Sequence, residues 1–130
     1  MKSIELFSGT GGLALDLEQA GFHHEALYEW DADSCENIRR NISAGYPPAQ
    51  SWTVFQTDVR TVRYDSYTGT LDLVAGGPPC QPFSLGGKHQ AYNDKRDMFP
   101  EAVRAVRETQ PQVFIFENVK GLLRKSFSSY

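Results

Sequence analysis

The sequence predicts an α/β fold with an open, mostly parallel sheet of about five strands, and three observations carry that prediction. Short apolar runs of strand length recur at residues 4–7, 25–30, 53–55, 71–75 and 112–116. Segments with apolar residues at helical spacing follow several of them: Leu13, Leu17 and Ala20, then Ala32, Cys35, Ile38 and Ile42, then Met98, Phe99, Ala102, Val103 and Val106. The residues with the most chemical character fall just past strand ends, where open α/β sheets bind their ligands.

Composition sets the limits. A chain of 130 residues with 40% hydrophobic and 22% charged side chains fits one globular domain. No apolar run reaches the ~18 residues of a membrane span, and the N-terminus carries no signal-peptide pattern. Two cysteines, Cys35 and Cys80, sit in contexts that do not suggest a bridge, so a reducing cytoplasm is the expected home. No His/Cys cluster has metal-ligand spacing, and a metal site is not expected. Residues 1–60 carry nine acidic and four basic side chains, a net of −5, whereas residues 61–130 carry seven and nine, a net of +2. Phosphate neutralisation dominates non-specific nucleic-acid affinity, so a nucleic-acid partner is expected at the second half or on surface outside this chain.

The first strand leads into Ser8-Gly9-Thr10-Gly11-Gly12, a turn whose glycines let backbone approach a ligand at the N-terminus of the following helix. Gly21 is expected to end that helix. The turn is not GxGxxG, and no Lys-Ser/Thr follows it, so it is suited to a cofactor that need not present a diphosphate. The second strand ends in Glu29-Trp30, about 20 residues beyond the glycine turn, where an acidic residue binds ribose hydroxyls in such folds. Trp30 has two readings, stacking on a purine or sheet–helix packing. Asp31 or Asp33 caps the next helix, and Cys35 lies in its apolar stripe as a core residue. Residues 45–52, with Pro47-Pro48, read as a loop. Asp58 lies just past the third strand, either as an acceptor for an exocyclic amine or as a helix cap. Residues 61–70 are polar and turn-rich.

The fourth strand delivers Gly76-Gly77-Pro78-Pro79-Cys80-Gln81-Pro82-Phe83-Ser84. Two glycines allow a sharp turn and two prolines fix φ before Cys80, which places a thiol on stiffened backbone at a strand's carboxyl end. The alternative is a proline-rich surface loop with an incidental cysteine. Residues 85–94 form a long loop, a length associated with lids and binding loops, and Lys88, His89, Lys95 and Arg96 are candidates to meet phosphates. Pro111 is expected to break the third helix. The fifth strand is apolar almost throughout, as for one covered on both faces, and delivers Glu117-Asn118 to the same sheet edge as Cys80. Glu117 is either an acid/base group or a cap for a turn of helix from Val119. The tail, 121–130, is basic and serine-rich with no further strand expected.

Together these segments resemble the DNA (cytosine-5)-methyltransferases over nearly the whole chain. ELFSGTGGL is similar to the family's cofactor loop, YEWD and TDVR to its second and third cofactor segments, GGPPCQPFS to its nucleophile segment and FENV to its catalytic glutamate segment. The resemblance implies a Rossmann-like fold that takes S-adenosylmethionine. Phe7, Gly9, Gly11 and Gly12 would line the cofactor pocket, Glu29 would hold the ribose and Trp30 would face the adenine. Asp58 would take the adenine amino group beside Val59, with Pro78 near the methyl donor and Met98 as an apolar contact. Cys80 would attack carbon 6 of a flipped cytosine while Glu117 protonates ring nitrogen 3, with Asn118 supporting the backbone around it. Gln81, Ser84, Lys88, Lys95 and Arg96 would contact double-stranded DNA.

The family's pattern continues past FENV with an arginine-bearing catalytic strand, a target recognition domain and a C-terminal segment, none of which these 130 residues contain. The expectation is therefore the N-terminal part of a cytoplasmic, nucleoid-associated enzyme that works with a complementary chain. The alternatives are an inactive remnant that at most binds cofactor, and a cofactor-binding regulatory module with a redox-active Cys80. An incomplete sheet would leave the apolar edge at 113–116 uncovered and prone to pairing.

Overall fold

The computed structural model describes residues 1–79 and 97–118. Cys80, Gln81, Ser84, Lys88, His89, Lys95, Arg96, the 85–94 loop and the tail lie outside the described residues. Five parallel strands run in the order β3-β2-β1-β4-β5. They are β1 (Lys2–Leu6), β2 (His23–Glu29), β3 (Val54–Gln56), β4 (Leu73–Gly76) and β5 (Val113–Phe116), with α1 (Gly12–Gln19), α2 (Ala32–Ser43) and α3 (Phe99–Thr109) between them. The strand order reverses direction at β1, because β2 lies on one side of it and β4 on the other. That switch point is where such a sheet opens a crevice at its carboxyl edge.

Side-chain alternation along the strands sorts the core into two layers. On one face Ile4, Leu6, Tyr28 and Val74 pack with Ala105 of α3 and with Tyr64. On the other, Leu27 packs with Ala14 of α1, Ile38 of α2 and Trp52, while Leu73 and Ala75 pack with Leu17. Cys35 is fully buried in α2, as its stripe predicts. Asp31, rather than Asp33, is the N-cap of α2, and its carboxylate accepts from the Ser34 amide at 2.8 Å.

Several expectations are corrected. Residues 45–52 are not all loop, because Pro47–Ala49 forms a 3-10 turn that buries Ala49. The polar stretch 61–70 contains another, Asp65–Tyr67, and holds Tyr64, which is fully buried. Arg104 of α3 packs against that stretch. Its guanidinium donates to the Val59 and Val62 carbonyls at 2.8 and 3.2 Å, pairs with Glu101 and Glu108, and lies 5.2 Å over the Tyr64 ring. The buried face of α3 is Ala102, Ala105 and Thr109, offset from the predicted Val103. The helix ends at Gln110, whose φ of 48° turns the chain before Pro111 is reached. β5 is not covered on both faces: Val113, Phe114 and Ile115 are 46–55% exposed among the described residues.

Candidate functional site

A cavity of about 470 Å³ opens at the carboxyl ends of the strands, within the size range of small-molecule sites. Each element contributes through the residues that leave it. Phe7 follows β1, Tyr28, Glu29 and Trp30 end β2, and residues 57–60 follow β3. Gly77 and Pro79 follow β4, and Met98 precedes α3.

Two backbone positions set this geometry. Gly76 ends β4 so close to β1 that a Cβ there would stand 2.6 Å from the Leu6 carbonyl oxygen, so only glycine fits. Phe7 holds a φ of 57°, a left-handed conformation that costs a non-glycine residue roughly 1–2 kcal/mol. This strained turn swings the Phe7 ring into the cavity wall while the chain enters the glycine turn.

Glu29 ties that turn to β2. Its Oε2 accepts from the Gly9 amide at 2.7 Å, and its Oε1 accepts from the Trp30 and Asp31 amides at 2.8 Å each. A carboxylate has about four acceptor positions, so about one remains for a ligand hydroxyl. Gly9 thereby serves the site through its amide, and Gly11 serves as the N-cap of α1 at φ 89°. Trp30 is 71% exposed at the cavity wall, so the sheet–helix packing reading is not the one the structure adopts. Asp58 adopts the cap reading. It caps the 3-10 turn Val59–Thr61 by accepting from the Arg60 amide, and it also lines the cavity. Its carboxyl is held below the usual carboxylate range by hydrogen bonds from the Arg60 side chain.

The structure thus brings Phe7, Glu29, Trp30, Asp58, Val59 and Met98 to one cavity. Among the described residues the wall includes Pro79 rather than Pro78, and Gly9, Gly11 and Gly12 shape the adjoining turn. Tyr28, Thr57, Arg60, Gly77 and Pro79 also line it; they lie within the YEWD, TDVR and GGPPCQPFS segments, although the sequence assigned none of them a role of its own. Tyr28 offers an aromatic wall whose hydroxyl pairs with Tyr67 at 3.2 Å, and burial raises its pKa.

Glu117 sits just beyond β5, exposed, with its amide donating to the Gly76 carbonyl at 2.9 Å. It therefore stands beside the segment that leads to Cys80. Glu5, an acid inside an apolar strand and the first residue of the ELFSGTGGL segment, carries no role in the sequence motifs. It is 1% exposed, its Oε2 has no hydrogen-bond partner, and its pKa is pushed up to about 8, by burial first and then by the charge of Glu117.

The sequence profile described as C-5 cytosine-specific DNA methylase matches residues 1–129. The chain belongs to that family. Among characterised relatives, it is 44% identical over 128 residues to the Type II methyltransferase M.NgoMIV of Neisseria gonorrhoeae, covering 98% of this chain and 38% of that protein. It is 39% identical over 126 residues to M.AquIA of Picosynechococcus, covering 96% of this chain and 51% of the relative. Among solved structures, a candidate DNA modification methyltransferase encoded within an Escherichia coli prophage superposes with a TM-score of 0.78 at 30% identity, over 99% of this chain and 35% of that one. Spodoptera frugiperda DNMT2 superposes with a TM-score of 0.66 at 22% identity, over 98% of this chain and 39% of that one, which speaks to the fold alone. The fold is the Rossmann-like one of the S-adenosylmethionine-dependent methyltransferases, and the chain spans between about a third and a half of the proteins named here.

Proposed function

We propose that this member of the C-5 cytosine-specific DNA methylase family is the cofactor-binding and catalytic N-terminal portion of an enzyme that methylates carbon 5 of cytosine in double-stranded DNA. The observation that carries the reading is the convergence of Glu29, Trp30, Asp58, Phe7 and Met98 on one cavity at the sheet's switch point. The chemistry of those residues suits S-adenosylmethionine. Glu29 keeps an acceptor position for a ribose hydroxyl, Trp30 and Val59 offer apolar surface to a purine, and Asp58 offers a carboxylate to its amino group. Phe7, Met98 and Pro79 supply an apolar wall, with Pro78 next to it in the chain. The group supplies an electrophilic methyl when bound.

The remaining steps belong to the chain's own residues. Cys80, as thiolate, adds to carbon 6 of the target ring, while Glu117 donates a proton to ring nitrogen 3. Carbon 5 gains electron density and would take the methyl group as that group's bond to the donor sulfur breaks. The carbon-5 proton then leaves, the carbon–sulfur bond to Cys80 breaks and nitrogen 3 returns its proton to Glu117. Removing the target base from the duplex costs a few kcal/mol of stacking and pairing. Gln81, Ser84, Lys88, Lys95 and Arg96 are the proposed DNA contacts. The arginine-bearing strand and target recognition domain come from polypeptide outside these 130 residues, on the same chain or a complementary one. The exposed apolar β5 supports such a junction.

Calorimetric titration of the chain with S-adenosylhomocysteine tests the cofactor reading. Loss of aromatic stacking is worth about 1–3 kcal/mol, so Trp30→Ala is expected to weaken binding at least fivefold. No binding by a folded wild-type chain would overturn it. For the catalytic reading, the complemented enzyme is expected to form a cofactor-dependent adduct with DNA carrying 5-fluorocytosine, and Cys80→Ser to form none.

A further inference from the structure

Asp58 is the acidic group proposed above to take the purine amino group, and its acceptor positions are already engaged by one neighbour. Its Oδ1 accepts from the Arg60 amide and from Arg60 Nε, both at 3.0 Å. Its Oδ2 accepts from the same Nε at 2.9 Å and, in a short contact, from a terminal guanidinium nitrogen. Both oxygens are thus engaged by three N–H groups of Arg60, the single Nε hydrogen being shared between them, so neither carboxylate oxygen is clear of the guanidinium fork. The Asp58 main chain is pinned as well, because its carbonyl accepts from the Thr61 amide at 2.9 Å and from the Thr61 hydroxyl at 2.8 Å. The Arg60 side chain, by contrast, is half exposed, and Glu101 of α3 lies within electrostatic reach of its guanidinium. The member of the pair that is free to swing is the arginine.

We propose that Arg60 competes with the purine amino group for the Asp58 carboxylate, so that ligand capture and the Asp58–Arg60 pair exclude one another. The inference rests on the cofactor reading of the cavity and adds to it a residue that sets affinity and base selectivity. A ligand amine must displace the guanidinium fork, and the apparent affinity falls by the fraction of molecules in which the fork is closed. Exposed ion pairs are weak, so the expected handicap is about two- to fivefold.

The test titrates the full chain with S-adenosylhomocysteine and with S-inosylhomocysteine, which carries an oxo group in place of the amino group. Arg60→Ala is expected to bind the adenosyl ligand about two- to fivefold more tightly and the inosyl ligand no more tightly, so the preference for amino over oxo rises. Arg60→Lys keeps the charge without the fork and should fall between. Added salt loosens the pair, so it should tighten adenosyl binding in the wild type and not in Arg60→Ala. The wild-type salt series decides the matter if Arg60→Ala does not fold. Weaker adenosyl binding by Arg60→Ala, an equal change for both ligands, or a wild-type affinity that salt does not raise would overturn the inference while leaving the cofactor reading in place. Failure of the folded wild type to bind either ligand would overturn both.

Discussion

Glu5 shows most directly how one buried residue ties the stability of the sheet to pH. It sits in the central strand, in register with Leu27 of β2 and Ala75 of β4, where water does not reach it. Burial penalises the charged form, and Glu117 adds a like charge, so the folded chain keeps a proton there up to about pH 8 while an unfolded chain releases it near 4.5. Between those values the folded state binds more protons than the unfolded one. Stability contributed by this group therefore falls as pH rises from about 4.5 through about 8, by a few kcal/mol in all. Glu5→Gln removes the titration at nearly constant shape. The variant is expected to match the wild type near pH 5 and exceed it at pH 8 in urea unfolding midpoints. Parallel pH profiles for the two proteins would refute the assignment. The same scale explains what the sequence revealed of the site. Glu29, Trp30 and Asp58 were legible because each follows an apolar strand. Glu5, Tyr28 and Arg60 lie in the same motifs, yet their roles were not legible, because those roles arise from what lies across the sheet or within a turn. No spacing rule encodes a carboxylate left without a donor or a guanidinium folded back onto the residue two before it.

At the scale of elements, strand and helix order was legible because apolar runs and helical stripes alternate along the chain. Element ends were less so. Parallel pairing carries β1 and β2 back to Lys2 and His23, residues too polar to read as strand, since His23 pairs across to Lys2 and its amide donates to the Met1 carbonyl. Tyr64 was hidden in a polar stretch because the residues that bury it, Ile4, Tyr28, Val74 and Ala105 among them, are distant in sequence. His24 is a comparable case that ties α1 to the sheet. Its Nε2 lies 3.0 Å from the Ala14 carbonyl, which can only accept, so Nε2 carries the hydrogen and Nδ1 faces the Ser3 hydroxyl at 3.1 Å. Burial lowers its pKa, so it stays neutral where an unfolded histidine protonates. The unfolded chain then binds the extra proton, and this group's contribution to stability falls as pH drops below about 6.5. The slope opposes that of Glu5, so the two groups should be separated by substitution. His24→Gln is expected to lower stability at pH 7 by about 1–3 kcal/mol through lost packing and hydrogen bonding, yet to lose less than the wild type between pH 7 and 5. A variant with an undiminished acid slope would show that His24 does not supply it.

For the whole molecule, the informative surface is β5. It is the outermost strand on its side of the described sheet, Val113, Phe114 and Ile115 together present a contiguous apolar stretch, and among the described residues no strand pairs with its outer edge. Such an edge recruits other strands. Two consequences follow from one surface. The 130-residue chain should self-associate, with the associated fraction rising with concentration in sedimentation velocity runs. The polypeptide proposed to complete the enzyme should compete for the same strand. Val113→Lys combined with Ile115→Lys places two charges on one face of β5, two residues apart, without touching any residue that lines the cavity. That variant is expected to sediment as a monomer, to bind S-adenosylhomocysteine as the unmodified chain does, and to lose methyl transfer when mixed with the complementary segments. Preserved self-association would move the contact elsewhere on the molecule. Full methyl transfer by the variant would show that β5 is not where the enzyme's two parts meet.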